Sequence, residues 1–273
     1  MNKTFETPDA VALYVELGAG DVTVEAAETG RTEVEVSGPR AEEFTVEQSG
    51  RNIAVIAPKG GRFFGIGHDN HTVRVVVPTG SDLATKTGSA DTETVGTLGV
   101  ISLKTGSGDV ELERAEGSLA IDSGSGDIRC HEAGADVRIK SGSGDVDLGD
   151  VRGTTGISTG SGDVVIGVVH ERTVVKTGSG DLELKRAEAD VSLTTASGDL
   201  VIGQAPRGKI TAKNVSGDVR IGIPAGTPVW TDVNTVTGSV DSNLQSAGKP
   251  ADGQDYVELR ATTVSGDVRL IQV

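Results

Sequence analysis

The sequence predicts an all-β chain: a right-handed parallel β-solenoid of 18-residue coils with less regular β caps at both ends. Three observations predict it. A Thr/Ser-Gly-Ser-Gly-Asp turn recurs, so that Asp91, Asp109, Asp127, Asp145, Asp163, Asp181 and Asp199 stand eighteen residues apart. Apolar and polar residues alternate on both sides of each turn, as in strands with one buried face. Aromatic residues make up only 3% of the chain, which suits a narrow core of branched aliphatics rather than a wide sandwich. A fixed short period means a stack of equivalent coils, each in contact mainly with its neighbours. Parallel strands joined in this way cross over right-handedly as a rule.

The coil around Asp109 shows the local logic. Val110 and Leu112 alternate with Glu111 and Glu113, giving one strand; residues 114–117 turn; Leu119, Ile121 and Ser123 alternate with Ala120 and Asp122, giving a second. The same positions of successive coils form columns. One runs Val110, Ile128, Val146, Val164, Leu182, Leu200, Val219, and a corner column of small residues runs Ala115, Ala133, Val151, Val169, Ala187, Ala205. A Thr/Ser column (Thr105, Ser123, Ser141, Thr159, Thr177, Thr195, with Asn214 in register) shares the inward parity. Its hydroxyls are expected to bond turn backbone groups, because a buried hydroxyl without a partner is costly.

In the turn, the second glycine (Gly126, Gly162, Gly180 and their equivalents) is nearly constant, whereas the first gives way to Ala196, Val215, Val236 and Val264. A β-branched residue rarely tolerates positive φ, so the second glycine is expected to supply the left-handed backbone. Carboxylates repeated every ~5 Å repel one another by roughly 0.8 kcal/mol even at the dielectric of water. Each Asp is therefore expected to accept N–H bonds within its own coil. Calcium bridging is the rival reading. It is not favoured, because calcium rolls repeat every nine residues or so with Gly-x-Asp spacing, and here Asp follows Gly directly.

The ends are less periodic. Residues 1–80 are expected to form an N-terminal β cap continuous with the solenoid, residues 81–223 the regular coils, and residues 224–273 irregular C-terminal coils and a cap. Strands are expected near 33–37, 44–48, 52–57 and 72–77. The run 224–228 breaks the period; 231–240 resumes it with Ser239 in the Asp slot; a polar insertion follows, and the last coil ends at Val273. Trp230, beside the break, is expected to pack under the loop 242–254, with a ligand platform as the alternative.

The formal charge is −15. Nucleic acid is a poor partner, since phosphate binding needs a basic face. Cys130 is the single cysteine, so no internal disulfide is expected. No apolar run follows Lys3, so no secretory signal is read, and no stretch approaches the ~20 apolar residues of a membrane span. The expected location is the cytoplasm.

One segment stands apart. Residues 59–71 read Lys-Gly-Gly-Arg-Phe-Phe-Gly-Ile-Gly-His-Asp-Asn-His and hold two of the four phenylalanines and two of the four histidines. Its plain reading is a long hairpin tip. Its functional reading is a partner-docking loop of Arg62, Phe63, Phe64, His68 and His71, because apolar residues on a surface loop mark contact sites. A metal site from His68, Asp69 and His71 is a weaker alternative, with loose spacing and no cysteine. No catalytic, cofactor-binding or metal residue is assigned, and no cofactor is expected.

The serial Lys-Thr-Gly-Ser-Gly-Asp-Val units (104–110, 176–182), the opening Phe5-Glu6-Thr7-Pro8 with its Val-Glu-Leu-Gly-Ala-Gly-Asp-Val, and the closing Val-Ser-Gly-Asp-Val-Arg carry a resemblance. They resemble the bacterial β-strand-repeat family of candidate adhesins of unknown function, in its actinobacterial form, over essentially the whole chain. The resemblance implies the solenoid fold and no catalytic residues. The chain also lacks a Ser-His-Asp set, a phosphate loop, a zinc-type cysteine cluster and a glycine turn leading into a helix. The leading expectation is a non-catalytic structural scaffold or protein-interaction module, with protein partners or self-assembly. The alternatives are a polysaccharide-active β-helix enzyme, which needs grouped carboxylates and sugar platforms, and a calcium-dependent surface adhesin.

Overall fold

The computed structural model describes residues 1–58, 70–245 and 248–273. Among them every regular element is a strand, apart from a 3-10 turn over Ala41–Glu43. No described helix is long and apolar enough to cross a membrane. The chain divides into two compact units, Met1–Ala135 and Asp136–Val273, and each is a β-solenoid of mainly parallel strands.

The first unit contains β1 (Asn2–Glu6), β2 (Ala12–Ala27), β3 (Arg31–Ser37), β4 (Thr45–Ser49), β5 (Asn52–Ile56), β6 (His71–Pro78), β7 (Asp82–Leu98), β8 (Ile101–Thr105), β9 (Val110–Ala115), β10 (Leu119–Ser123) and β11 (Ile128–Ala133). β2 and β7 are long enough to serve both faces of the coil and pair in parallel from Ala12↔Asp82 to Glu25↔Val95. From β7 two parallel ladders run on, through β8 to β10 and through β9 to β11. On the other side of β2 lie β5 and β6. There the pairing turns antiparallel: β4 lies on β5, β3 on β6, and β1 on β3. These hairpins are the N-terminal cap. Ala41 and Phe44 are buried beneath it, and Lys3 Nζ donates to the Val46 carbonyl at 2.6 Å, tying β1 to β4.

The second unit contains β12 (Val137–Ser141), β13 (Val146–Val151), β14 (Thr155–Ser161), β15 (Val164–Val169), β16 (Thr173–Ser179), β17 (Leu182–Ala187), β18 (Val191–Thr194), β19 (Leu200–Gln204), β20 (Gly208–Lys213), β21 (Val219–Ile223), β22 (Val229–Thr237), β23 (Val240–Ser242), β24 (Val257–Ser265) and β25 (Val268–Gln272). The even-numbered strands to β20 form one parallel ladder and the odd-numbered strands to β21 the other. The register puts like over like: Val164 over Val146, Leu182 over Val164, Leu200 over Leu182, Val219 over Leu200. Every member of this column is at least 98% buried, and the corner column is as well. Burying one such side chain stabilises by about 1.5–3 kcal/mol, and the column repeats that gain at each rung.

The chain does not finish in the order expected from its period. β20 pairs with β24, and β21 with β25. β22 lies on the far side of β24, and β23 on the far side of β25. The last coil in sequence is thus inserted one rung inward, and residues 229–242 form the outermost rung.

The Thr/Ser column behaves as expected. Ser141, Thr159, Thr177 and Thr195 each donate to the carbonyl two residues ahead at 2.9–3.0 Å, and Asn214 Nδ2 donates to Gly217 at 2.7 Å. The Asp ladder is a correction. Each carboxylate reaches the next coil rather than its own. Asp91 Oδ1 accepts the backbone N–H of Asp109, and Asp109 that of Asp127, both at 2.8 Å. In the second unit the same bond runs from Asp145 through Asp163, Asp181, Asp199 and Asp218 to Asp267. The N–H of each Asp points along the stack, and one short side chain spans the gap between rungs. A charge-assisted bond per rung offsets the repulsion between neighbouring carboxylates.

Candidate functional site

The outermost rung of the second unit is where this fold leaves polar backbone and apolar side chains unclaimed. Among the described residues β22 pairs with β24 alone, and β23 with β25. The register sets Val229, Thr231, Val233 and Thr235 over Val257, Leu259, Ala261 and Thr263. These four are inward positions, yet none of them is buried, while the β24 residues beneath are essentially inaccessible. Among the described residues no rung stands above them to complete the core.

The outward positions of β22 are Trp230, Asp232, Asn234 and Val236. Trp230 is 76% exposed and Val236 70%. This corrects the expectation that Trp230 packs under the 242–254 loop. Its backbone parity with Asp232 turns the indole outward, and the described loop residues Gly248, Lys249 and Pro250 border it instead of covering it. Pro228, Trp230, Gly248, Lys249, Pro250 and Tyr256 line a cleft of about 610 Å³ on this side, with Tyr256 51% exposed. Asp232 is held by Arg260 of β24 at 2.9 Å, so the outward face of β22 carries no uncompensated charge.

Natural edge strands are usually guarded by lysine, proline, bulges or short length. β22 runs nine residues, Val-Trp-Thr-Asp-Val-Asn-Thr-Val-Thr, with no lysine and no proline, and six of the nine are β-branched. Such a strand is suited to accept another by main-chain pairing. Ser239 closes the carboxylate ladder: its N–H donates to Asp267 Oδ1 at 2.9 Å. That N–H, with the Ser239 hydroxyl next and Arg269 nearby, holds the Asp267 carboxyl below the ordinary aspartate range.

The docking loop expected from the sequence lies largely outside the described residues. Arg62, Phe63, Phe64, His68 and Asp69 lie outside the described residues. His71 is described and opens β6. It is buried, with Nε2 2.7 Å from the Pro39 carbonyl oxygen and its ring edge-on to Phe44 at 5.0 Å between centroids. The side chain thus helps seal the N-terminal cap. Parity with Val73, Val75 and Val77, all buried, was the sequence signal for that placement. Among the described residues no group of three or more His, Cys, Asp or Glu side chains is arranged to hold a metal ion. His170 sits between Asp150 and Glu188 at 3.1 and 3.0 Å, as part of a surface ion-pair column with Arg186.

No curated protein matches the chain. Among solved structures it is similar to a candidate adhesin from Bacteroides fragilis NCTC 9343, at 13% identity over 99% of this chain and 96% of that one, with a TM-score of 0.33. It is also similar to a candidate adhesin from Parabacteroides distasonis ATCC 8503, at 10% identity over 99% and 96%, with a TM-score of 0.39. A candidate lipid-binding protein from the same organism is similar at 12% identity over 100% and 96%, with a TM-score of 0.38. A family model described as Toastrack DUF4097 matches residues 11–271, and the chain therefore belongs to the Toastrack DUF4097 family.

Proposed function

We propose that this protein is a non-catalytic protein-interaction module, a β-solenoid that presents the outer strand β22 and the cleft beside it to another polypeptide. One observation carries the reading: on an unguarded edge strand, Trp230 and Val236 are the most exposed large apolar side chains among the described residues. Exposed tryptophan on a soluble surface is costly to maintain, and aromatic side chains dominate the energetics of protein contacts. The strand offers free backbone donors and acceptors for affinity, and the alternate side chains offer selectivity.

The test is an affinity capture with the full chain and with a Trp230→Ser/Val236→Ser variant. Both substituted side chains point outward, so the melting temperature is expected to hold within a few degrees while the captured partner is lost. An unchanged partner set from the variant would overturn the assignment of the contact surface to β22.

A further inference from the structure

We infer that a second copy of this chain occupies the open edge, with β22 pairing antiparallel to the β22 of its partner about a two-fold axis through Val233. The inference rests on the reading of β22 as a contact surface and names its occupant.

The strand is close to self-complementary. In an antiparallel pair centred on Val233, residue positions opposite each other sum to a constant. Trp230 then faces the partner's Val236, Thr231 faces the partner's Thr235, Asp232 faces the partner's Asn234, and Val233 faces itself. Each of these is a favourable cross-strand combination: aromatic with β-branched, threonine with threonine, carboxylate with amide. The two exposed apolar residues of the outward face cover each other twice. The asymmetry that matters is at 232 and 234. A two-fold through either of those positions sets like residues of the outward face on one another, and through Asp232 it stacks two carboxylates, which is destabilising. The axis through Val233 avoids this.

The inward face agrees. Among the described residues Val229, Thr231, Val233 and Thr235 lack the covering rung that buries Val257, Leu259, Ala261 and Thr263 one layer below. A rotation about an axis lying in the plane of the rung keeps inward residues inward, so the half-built core of one copy is completed by that of the other. A two-fold contact is closed and isologous.

A head-to-tail addition is disfavoured by two features. In the second unit each rung from Asp145 to Asp267 offers an Asp carboxylate to the N–H of the rung stacked on it, but the outermost described rung offers Ser239 in that slot. The opening end in the first unit is closed by antiparallel β1 and β4, which carry Lys3, Glu6 and Glu47. The chain thus stops parallel growth at residue 239 and leaves an edge that matches its own copy.

The experiment is sedimentation equilibrium of the full chain, with cysteine cross-linking to fix the register. The mass is expected to rise from 27.9 kDa toward twice that value as concentration increases from about 1 to about 200 μM, the range suited to a small interface. Val233→Pro removes an N–H at the centre of the strand and is expected to leave the chain monomeric. Val233→Cys chains are expected to cross-link to themselves under mild oxidation, since directly opposed strand residues lie within disulfide reach at about 4.5–5.5 Å between Cα atoms. Thr231→Cys and Thr235→Cys chains are expected to cross-link only when mixed. The buried Cys130 does not compete. A monomer throughout the concentration range overturns the inference, as does a dimer that survives Val233→Pro or cross-links in another register. A monomeric chain that still loses its captured partner on Trp230→Ser/Val236→Ser would refute the second copy while leaving the contact surface standing.

Discussion

The Asp267 carboxylate accepts the backbone N–H of Ser239 at 2.9 Å, and with that bond a ladder of like bonds ends on a hydroxyl. This pair makes the closing rung sensitive to acid. The Asp267 carboxyl sits below its ordinary value because of the Ser239 N–H and then its hydroxyl. Asp136 is lowered by the Thr154 hydroxyl and N–H, and Glu188 chiefly by the Arg186 guanidinium, with a further hydrogen bond from His170. For all three the folded value lies below the unfolded one, so below about pH 4 the unfolded chain binds more protons and stability rises with pH. Their contribution is complete above the unfolded values and is lost as pH falls through the folded ones. Thermal melts between pH 6 and pH 2 are expected to show this acid limb, and Asp267→Asn/Asp136→Asn is expected to flatten it; an unaltered limb would show that the two carboxylates do not carry it.

The inner ladder predicts a contrast between adjacent residues. Asp163 Oδ1 accepts the N–H of Asp181, and an asparagine oxygen can do the same, so Asp163→Asn is expected to cost less than ~0.5 kcal/mol. Asp163→Ala removes the acceptor and is expected to cost about 1 kcal/mol. Gly162 has φ +121°, and a Cβ there would run into the Gly144 carbonyl oxygen. Gly162→Val is expected to cost ~3 kcal/mol or more, or to prevent folding. Denaturant titrations of the three variants check the order.

The buried hydroxyls predict opposite signs at neighbouring rungs. Thr177 Oγ1 donates to Ser179 O at 3.0 Å, a carbonyl that also accepts the Gly162 N–H at 3.1 Å, so Thr177→Val removes one of its two bonds and is expected to cost about 1 kcal/mol. The Thr155 hydroxyl is buried with no hydrogen-bond partner among the described residues. Thr155→Val keeps the shape, removes that unpaired group and is expected to be neutral or to stabilise by up to about 1 kcal/mol. A loss at Thr155 equal to that at Thr177 would contradict the hydrogen-bond assignment.

The repeat made most of this fold legible before any coordinates. The columns from Val110 and from Ala115 follow directly from the 18-residue period, because stacking places equal sequence offsets over one another. The same regularity hid the direction of the Asp bond: when every coil is alike, a bond to its own turn and a bond to the next turn involve the same residue types. The inward insertion of β24 was hidden for a different reason. It depends on the jump from Asp218 to Asp267, a non-local pairing that no local period encodes. Ser239 held the signal, since a rung with no further rung of the described chain stacked on it needs no carboxylate. Trp230 was misplaced by treating it as a large apolar residue in search of cover; its alternation with Asp232 and Asn234 points outward.

Cys130 offers a probe of the first unit. Burial pushes its thiol up to about 11, so the thiolate that reacts with disulfide reagents is scarce near neutral pH. The folded chain is expected to resist labelling at pH 8, and labelling is expected to follow global unfolding. Rapid labelling of a chain that has not melted would show that the rung holding β11 opens on its own.

Trp230 offers the complementary probe of the second unit. It is the single tryptophan of the chain, so intrinsic indole emission reports the β22 edge and nothing else. At 76% exposure the dilute protein is expected to emit at the water-exposed end of the tryptophan range and to be quenched efficiently by a neutral quencher such as acrylamide. Covering the strand removes water from the indole, so emission is expected to move to shorter wavelength and quenching to fall as the edge becomes occupied. Tyr256→Ala, which opens the cleft without touching β22, is expected to leave the starting emission nearly unchanged, whereas Val236→Ser is expected to abolish the shift. An emission that is blue and protected in dilute solution, with no dependence on concentration or partner, would mean that the indole is already covered within one chain, and the open edge would no longer be the exposed surface of this fold.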